Sequence, residues 1–163
     1  MTTDANTPHA RPAAEPGGGP GTIAGPAPQP CNSCPYRRDV PSGIWAPSEY
    51  RKLPAYDEPT WNQPPAPFQC HQNETNDDRA RLCAGWVGCH GTELLALRLA
   101  SAQGRLAGSA LEATIAYVSP VPLFETGPAA MNHGMRDVPA PSPAAVNAMA
   151  KIRRRRPDIK AGR

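Results

Sequence analysis

The 163-residue chain carries 22 prolines and 14 glycines but only 22 leucine, isoleucine, valine and phenylalanine residues together. That aliphatic share is well under the ~20 % of a chain packed throughout, which excludes barrels and doubly wound sheets. No apolar run approaches the ~20 residues that span a bilayer, so no membrane partner is expected. The formal net charge of +3 is uneven: positions 151–163 carry seven basic residues and one acid, while the rest is net acidic.

Positions 1–30 contain seven prolines, five glycines and no aromatic residue, and are predicted to be a disordered tail that cannot offset the entropy of ordering. They lack the basic start and apolar stretch of a secretory signal. The expected compartment is therefore the reducing cytoplasm, where five cysteines serve as ligands or free thiols rather than disulfides. The folded domain is expected at 31–155. Its cysteine-rich half, 31–91, holds Cys31, Cys34, Cys70, Cys83 and Cys89 and seven of the nine Trp, Tyr and Phe residues; its helical half is 92–155. Residues 156–163 are read as a basic C-terminal tail.

In chain order, Pro47 opens a short helix that ends before Pro54, with Tyr50 and Leu53 on one face. The four prolines between 55 and 67 predict an extended loop pinned by Tyr56 and Trp61. Phe68 to Cys70 reads as a short strand, 72–81 as a polar loop, and LCAGWVGCHG as tight glycine turns. A helix capped by Thr92 then carries Leu94, Leu95, Leu99 and Ala102 and stops at Gly104. Ser109 and Glu112 have capping-box spacing ahead of a Leu111, Ile115 and Val118 stripe. A last helix starts at Ser142, with Pro143 in its first turn and Val146, Met149, Ala150 and Ile152 on one side, and Pro157 stops it. The predicted fold class is a small metal-stapled domain, mostly α with long irregular loops and a minor α+β character.

The chemistry lies in the cysteines. Cys31 and Cys34 form a C-x2-C pair, a spacing that lets one backbone turn bring two sulfurs into the ~2.3 Å shell of one zinc ion. Cys70 and Cys83 complete a four-thiolate set; Cys89 and His71 are the alternatives for the fourth place. A closed thiolate shell carries formal charge −2 and leaves no position for substrate. Arg37 and Arg38 stand where they can offset that charge or donate to sulfur. The alternative cofactor is a 4Fe-4S cluster, which also takes four cysteines and for which Pro35 directly after Cys34 is a weak signal. The run Arg153, Arg154, Arg155 and Arg156 is a candidate contact for nucleic acid or an acidic protein, set against the plainer reading of a solvated basic helix end.

Catalysis is the least favoured class. The βαβ pattern expected around a redox C-x2-C pair is missing, and a nucleophile–base pair is offered only loosely by Cys89 with His90 or His133. The sequence thus points to a zinc-binding interaction module, with an iron–sulfur protein in redox sensing or electron transfer as the alternative.

The strings CNSCPYRRDVPSGIWAPSEYRKLPAYDEPTW, FQCHQ, CAGWVGCHG and SPVPLFETG resemble an uncharacterised cysteine-rich family of actinobacteria and their phages, a domain of unknown function. The resemblance covers roughly residues 31 to 155. It supplies no activity, substrate or ligand set. It does imply that the SPVPLF segment and the final helix share a domain with the cysteines.

Overall fold

The computed structural model describes residues 21–73 and 79–158, and it is mostly helical with little strand. Six α-helices follow one another: α1 (Pro47–Tyr50), α2 (Ala84–His90), α3 (Leu95–Ala102), α4 (Gly108–Ile115), α5 (Gly127–Met135) and α6 (Pro143–Arg155). Two 3-10 turns, Leu53–Asp57 and Thr60–Asn62, lie between α1 and α2. Extended pairing among the described residues is confined to single bridges. Gln69 pairs antiparallel with Leu82, Ala24 parallel with Arg81, Ile23 parallel with Leu106, and Arg37 antiparallel with Leu123.

Local signals account for several helix ends. Pro47 sits in the first turn of α1, where its missing N–H costs nothing. The Ser142 hydroxyl accepts a hydrogen bond from Ala145 N at 3.2 Å and caps α6, with Pro143 in its first turn. Gly104, at φ +67°, ends the α3 region, in a left-handed conformation that glycine adopts without steric cost. Thr126, which sequence reading left unused, caps α5 through Ala129 N at 3.2 Å.

Other expectations are corrected. The CAGWVGCH stretch is the helix α2, not a set of turns. Its glycines permit close approach: a Cβ on Gly85 would collide with the Cys34 sulfur, and one on Gly88 would press on Leu123 at 2.6 Å. Leu94, not Thr92, stands at the N-cap of α3, and its buried residues are Ala96, Leu97 and Ala100. Ala107 precedes α4, so Ser109 and Glu112 form no capping box. Ile115 and Val118 are exposed, because α4 turns Thr114 inward and that hydroxyl bonds Ala110 O at 2.7 Å. Trp61 pins nothing: it is 82 % exposed at the tip of the second 3-10 turn.

The core lies under the cysteine half. Tyr36, Ile44, Trp45, Tyr50, Leu53, Leu82 and Trp86 are buried. Tyr56 packs edge-on against Trp86 at 5.3 Å and Phe68 at 6.1 Å, and Phe68 against Tyr36 at 5.9 Å. The Tyr50 hydroxyl accepts from Ile44 N and Trp45 N at 3.1 and 3.2 Å, and its ring fills the space over Gly134 of α5, where a Cβ would collide. The SPVPLF segment joins this body: Phe124 N bonds Tyr36 O at 2.9 Å and Arg38 N bonds Pro122 O at 3.2 Å. Residues 21–30, placed by composition in the tail, also pack. Ile23 is 3 % exposed, and Ala24 exchanges backbone bonds with Ala80 and Leu82. One aliphatic side chain and three bridging amides suffice to dock a segment otherwise poor in apolar surface. Residues 1–20 and 159–163 lie outside the described residues.

Candidate metal centre

Three pieces of chain bring four cysteines to one side of the core. The first is a tight turn in which Cys34 N bonds Cys31 O at 3.0 Å and Arg37 N bonds Cys34 O at 3.2 Å. Arg37 locks this turn from outside. Its guanidinium donates to Pro30 O at 3.2 Å, Cys31 O at 3.5 Å and Asn32 Oδ1 at 3.1 Å, and Asp39 holds it by two bonds of 2.8 and 2.6 Å. From inside, the Trp45 indole N–H donates to Ser33 O at 2.8 Å. The second and third pieces face each other across the Gln69–Leu82 bridge. Cys70 N bonds Arg81 O and Cys83 N bonds Phe68 O, both at 2.9 Å, which sets the two cysteines diagonally across the bridge, each next to one of its paired residues. Cys83 also stands at the N-cap of α2.

Two of the sulfurs come close together. Cys34 Sγ lies 3.9 Å from Cys83 Sγ, close to the ~3.8 Å edge of a tetrahedron whose metal–sulfur bonds are ~2.3 Å. The neighbouring Cys34 first and Cys70 second hold the Cys31 thiol far below the usual thiol range. Cys34 moves the other way, raised first by burial and then by the neighbouring Cys31 and Cys83. Cys70 is likewise raised, chiefly by the neighbouring Cys31 and then by burial. Such a cluster accepts one negative charge readily and resists the next, as neighbouring like charges must. As the side chains stand, no three His, Cys, Asp or Glu among the described residues are drawn together tightly enough to enclose an ion. The fit is one of donor type and pairwise spacing.

The alternative ligands have other neighbours as well. His71 stacks on Trp45, ring centroids 4.5 Å apart, with Nε2 3.9 Å from Glu49. That imidazole and then Lys52 pull the Glu49 carboxyl down to about 2. Cys89 is half-buried, and burial first and Asp57 second push its thiol up to about 12. Neither ring nitrogen of His90 serves Cys89. Nδ1 lies 2.7 Å from Asp57 Oδ1 and Nε2 3.1 Å from the Tyr36 hydroxyl, with the side chain 1 % exposed. His133 Nε2 is spent on Val40 O at 2.8 Å.

The arginines separate by role. Arg38 pairs with Glu125 at 3.7 Å and lies over the Phe124 ring, away from the sulfurs. Arg153 and Arg154 are exposed, and Arg155 donates to Gln72 Oε1 at 3.0 Å. Arg156 is buried: it donates to His71 O at 3.0 Å and to Asn73 O, and Asp158 holds it by bonds of 2.8 and 2.6 Å. It clamps the turn after Cys70, although the basic run had marked it for solvent.

Sequence reasoning missed the Asp57–His90–Tyr36 chain, the Trp45 bond to the cysteine turn and the gap at Gly85. Only the last leaves a local trace, a glycine two residues after a cysteine.

Among the described residues no helix is long and apolar enough to cross a membrane. No curated protein and no solved structure matches the chain. A family model does match, across residues 26–156 and so across the turn, the bridge, α2 and the last helix alike. The chain therefore belongs to the family described as a family of unknown function (DUF6283).

Proposed function

We propose that this chain is a metal-stapled interaction module whose Cys31, Cys34, Cys70 and Cys83 hold one structural zinc ion. The observation that carries the reading is the 3.9 Å approach of Cys34 and Cys83 over the gap at Gly85. A tetra-thiolate zinc has adjacent sulfurs in contact, as two are here. A 4Fe-4S cubane binds each cysteine to a different iron and keeps the cysteine sulfurs farther apart, so the spacing favours one ion. The charge pattern supports the same reading. Thiols that resist a second ionisation in each other's company give up their protons to a divalent cation. Zinc with four thiolates has no open coordination position, and its contribution here is to folding, not to a reaction. It ties the turn at 31–34 to the 70/83 pair, and so fixes the surface that these loops present. The reading places the protein in a reducing compartment, the cytoplasm.

Elemental analysis with an absorption spectrum, on protein purified without oxygen, tests it. The expected result is one zinc per chain and no visible colour. Cys34→Ser should lose the metal and the cooperative unfolding transition, because such sites contribute on the order of 10 kcal/mol to folding. Cys89→Ser should keep both. Iron with a broad visible band, or equal metal loss in the two variants, overturns the proposal.

A further inference from the structure

The outer wall of the cysteine turn is also one wall of a groove. The groove measures about 780 Å³ and runs between that turn and α6. Ser33 and Gln72 line the first wall; Asn147, Lys151, Arg154 and Arg155 line the second. No aspartate or glutamate is among its described lining residues. Lys151, Arg154 and Arg155 recur at the i, i+3 and i+4 spacing that places helix side chains on one flank. Lys151 and Arg154 are exposed, and no acid among the described residues pairs with either. The floor connects the two walls: Gln72 Nε2 donates to Ser33 Oγ at 3.3 Å, and its Oε1 accepts from Arg155 at 3.0 Å. Behind the floor, Arg156 fixes His71 O and Asn73 O. Ser33 Oγ is itself 3.7 Å from Cys31 Sγ.

We infer that this groove binds the phosphodiester backbone of a single-stranded nucleic acid. Three cations on one flank, with no acid among the described lining residues, attract a chain of phosphates and release its counterions. The opposite wall adds the polar side chains of Asn32 and Ser33, which can bond phosphate oxygens without imposing a sequence. A flexible single strand can follow a groove walled on both sides, whereas a stiff duplex can touch only its cationic rim. The groove has no aromatic platform for stacking beyond His71, which is already stacked on Trp45, so binding is by backbone charge and depends steeply on salt. The inference rests on the metal reading in one respect, that the ion holds the Ser33 wall in place.

Fluorescence anisotropy of a labelled oligothymidylate, titrated with the full chain over a range of salt concentrations, tests this. The double variant Lys151→Ala/Arg154→Ala changes only exposed side chains, and Arg98→Ala, on α3, serves as a control of equal charge type. The double variant should bind on the order of tenfold more weakly, and its log–log salt slope should shrink by about 1.4, two phosphate contacts at about 0.7 each. The control should retain the wild-type slope, and the matching duplex should bind more weakly than the single strand. An unchanged slope in a double variant with native circular dichroism overturns the groove. So does failure of the wild type to bind at low salt, or preference for the duplex. Metal content measured on the same samples separates the two proposals. Metal-free protein that binds the oligonucleotide with the wild-type slope refutes the staple and leaves the groove. Zinc-loaded protein that does not bind refutes the groove and leaves the staple.

Discussion

The two halves of the domain cohere by different means. Among the described residues, 31–91 contain only α1, α2 and two 3-10 turns, yet they bury Tyr36, Trp45, Tyr50, Leu53, Leu82 and Trp86. Residues 92–155 contain four helices, yet they leave Ile115, Val118 and Val146 half or more exposed. In the helical half, backbone groups find partners within each helix, and a cap at Thr126 or Ser142 completes the local account. In the cysteine half they must find partners elsewhere. Trp45 serves Ser33 O, the Tyr50 hydroxyl serves two amides, Tyr56 serves Ala66 O and Arg37 serves the cysteine turn. Regular structure and cohesion are therefore separable here. The irregular half is the more interlocked one, and it depends on individual side chains that have no substitute.

The comparison is most sharply tested at glycines that permit contacts between segments. Gly85 lies against the Cys34 sulfur, and a Cβ there would collide with it. Because that sulfur is fully buried with the Cys83 sulfur 3.9 Å away, it has little room to swing aside. Gly85→Ala should destabilise by about 1–3 kcal/mol or more, as overpacking does, and should weaken zinc binding in competition with a chelator. Gly108, at the start of α4, has nothing within 4 Å of the corresponding position, so Gly108→Ala should leave the melting temperature unchanged or slightly raised. Chemical denaturation of the two variants, with metal content alongside, checks both. Equal effects would show that the halves do not differ as described.

Much of the helical half was legible because its determinants are local. Ser142 and Pro143 announce α6 within a few residues, and Pro47 announces α1. The stripes were harder. Leu111, Ile115 and Val118 have helical spacing, but only Leu111 of the three packs against the core, with Ala110 and the buried Thr114 beside it; α4 ends at Ile115, and Ile115 and Val118 face out. At the candidate site, the spacing of Cys31 and Cys34 was readable, and Cys70 and Cys83 stood beside them as candidate ligands. The partners that shape the site were not readable. Asp57 and His90 are 33 positions apart, Arg156 and His71 85 apart, and no periodicity or motif links such pairs. Arg156 is the instructive case. Composition places it in a solvated basic run, whereas tertiary contact selects it alone to be buried.

A smaller effect is expected at His90, which joins the first 3-10 turn to the cysteine turn. Burial lowers the basicity of this ring, with Asp57 acting in the opposite direction. A neutral imidazole that donates from Nδ1 to Asp57 and accepts the Tyr36 O–H at Nε2 satisfies all three groups. Protonation would remove that acceptor. The sign follows from linkage: below about pH 6.5 the unfolded chain binds a proton that the folded chain takes up less readily. Stability is therefore held above that pH and declines as pH falls toward the lower folded value. Urea unfolding of wild type and His90→Gln from neutral to mildly acidic pH should show a shallower decline in the variant. The variant should also lose about 1–3 kcal/mol at neutral pH from imperfectly paired buried groups. Parallel slopes would place the acid sensitivity elsewhere.

The smallest expected effect lies in the helical half, at the α6 cap. The Ser142 hydroxyl satisfies Ala145 N, one of the amides that the first turn of a helix leaves unpaired. Ser142→Ala should cost about 1 kcal/mol. The helix it supports carries Met149 and Ile152 into the core and ends at Arg156, which clamps the turn after Cys70. If cohesion is local in this half, the loss should appear as faster amide exchange confined to the first turn of α6, with zinc affinity unchanged. If exchange quickens at Asn73 and Cys70 as well, then α6 transmits its stability through Arg156 into the cysteine half, and the division between the two halves does not hold at that point. Hydrogen exchange read residue by residue distinguishes the two outcomes, because each predicts protection lost at different amides for the same loss in free energy.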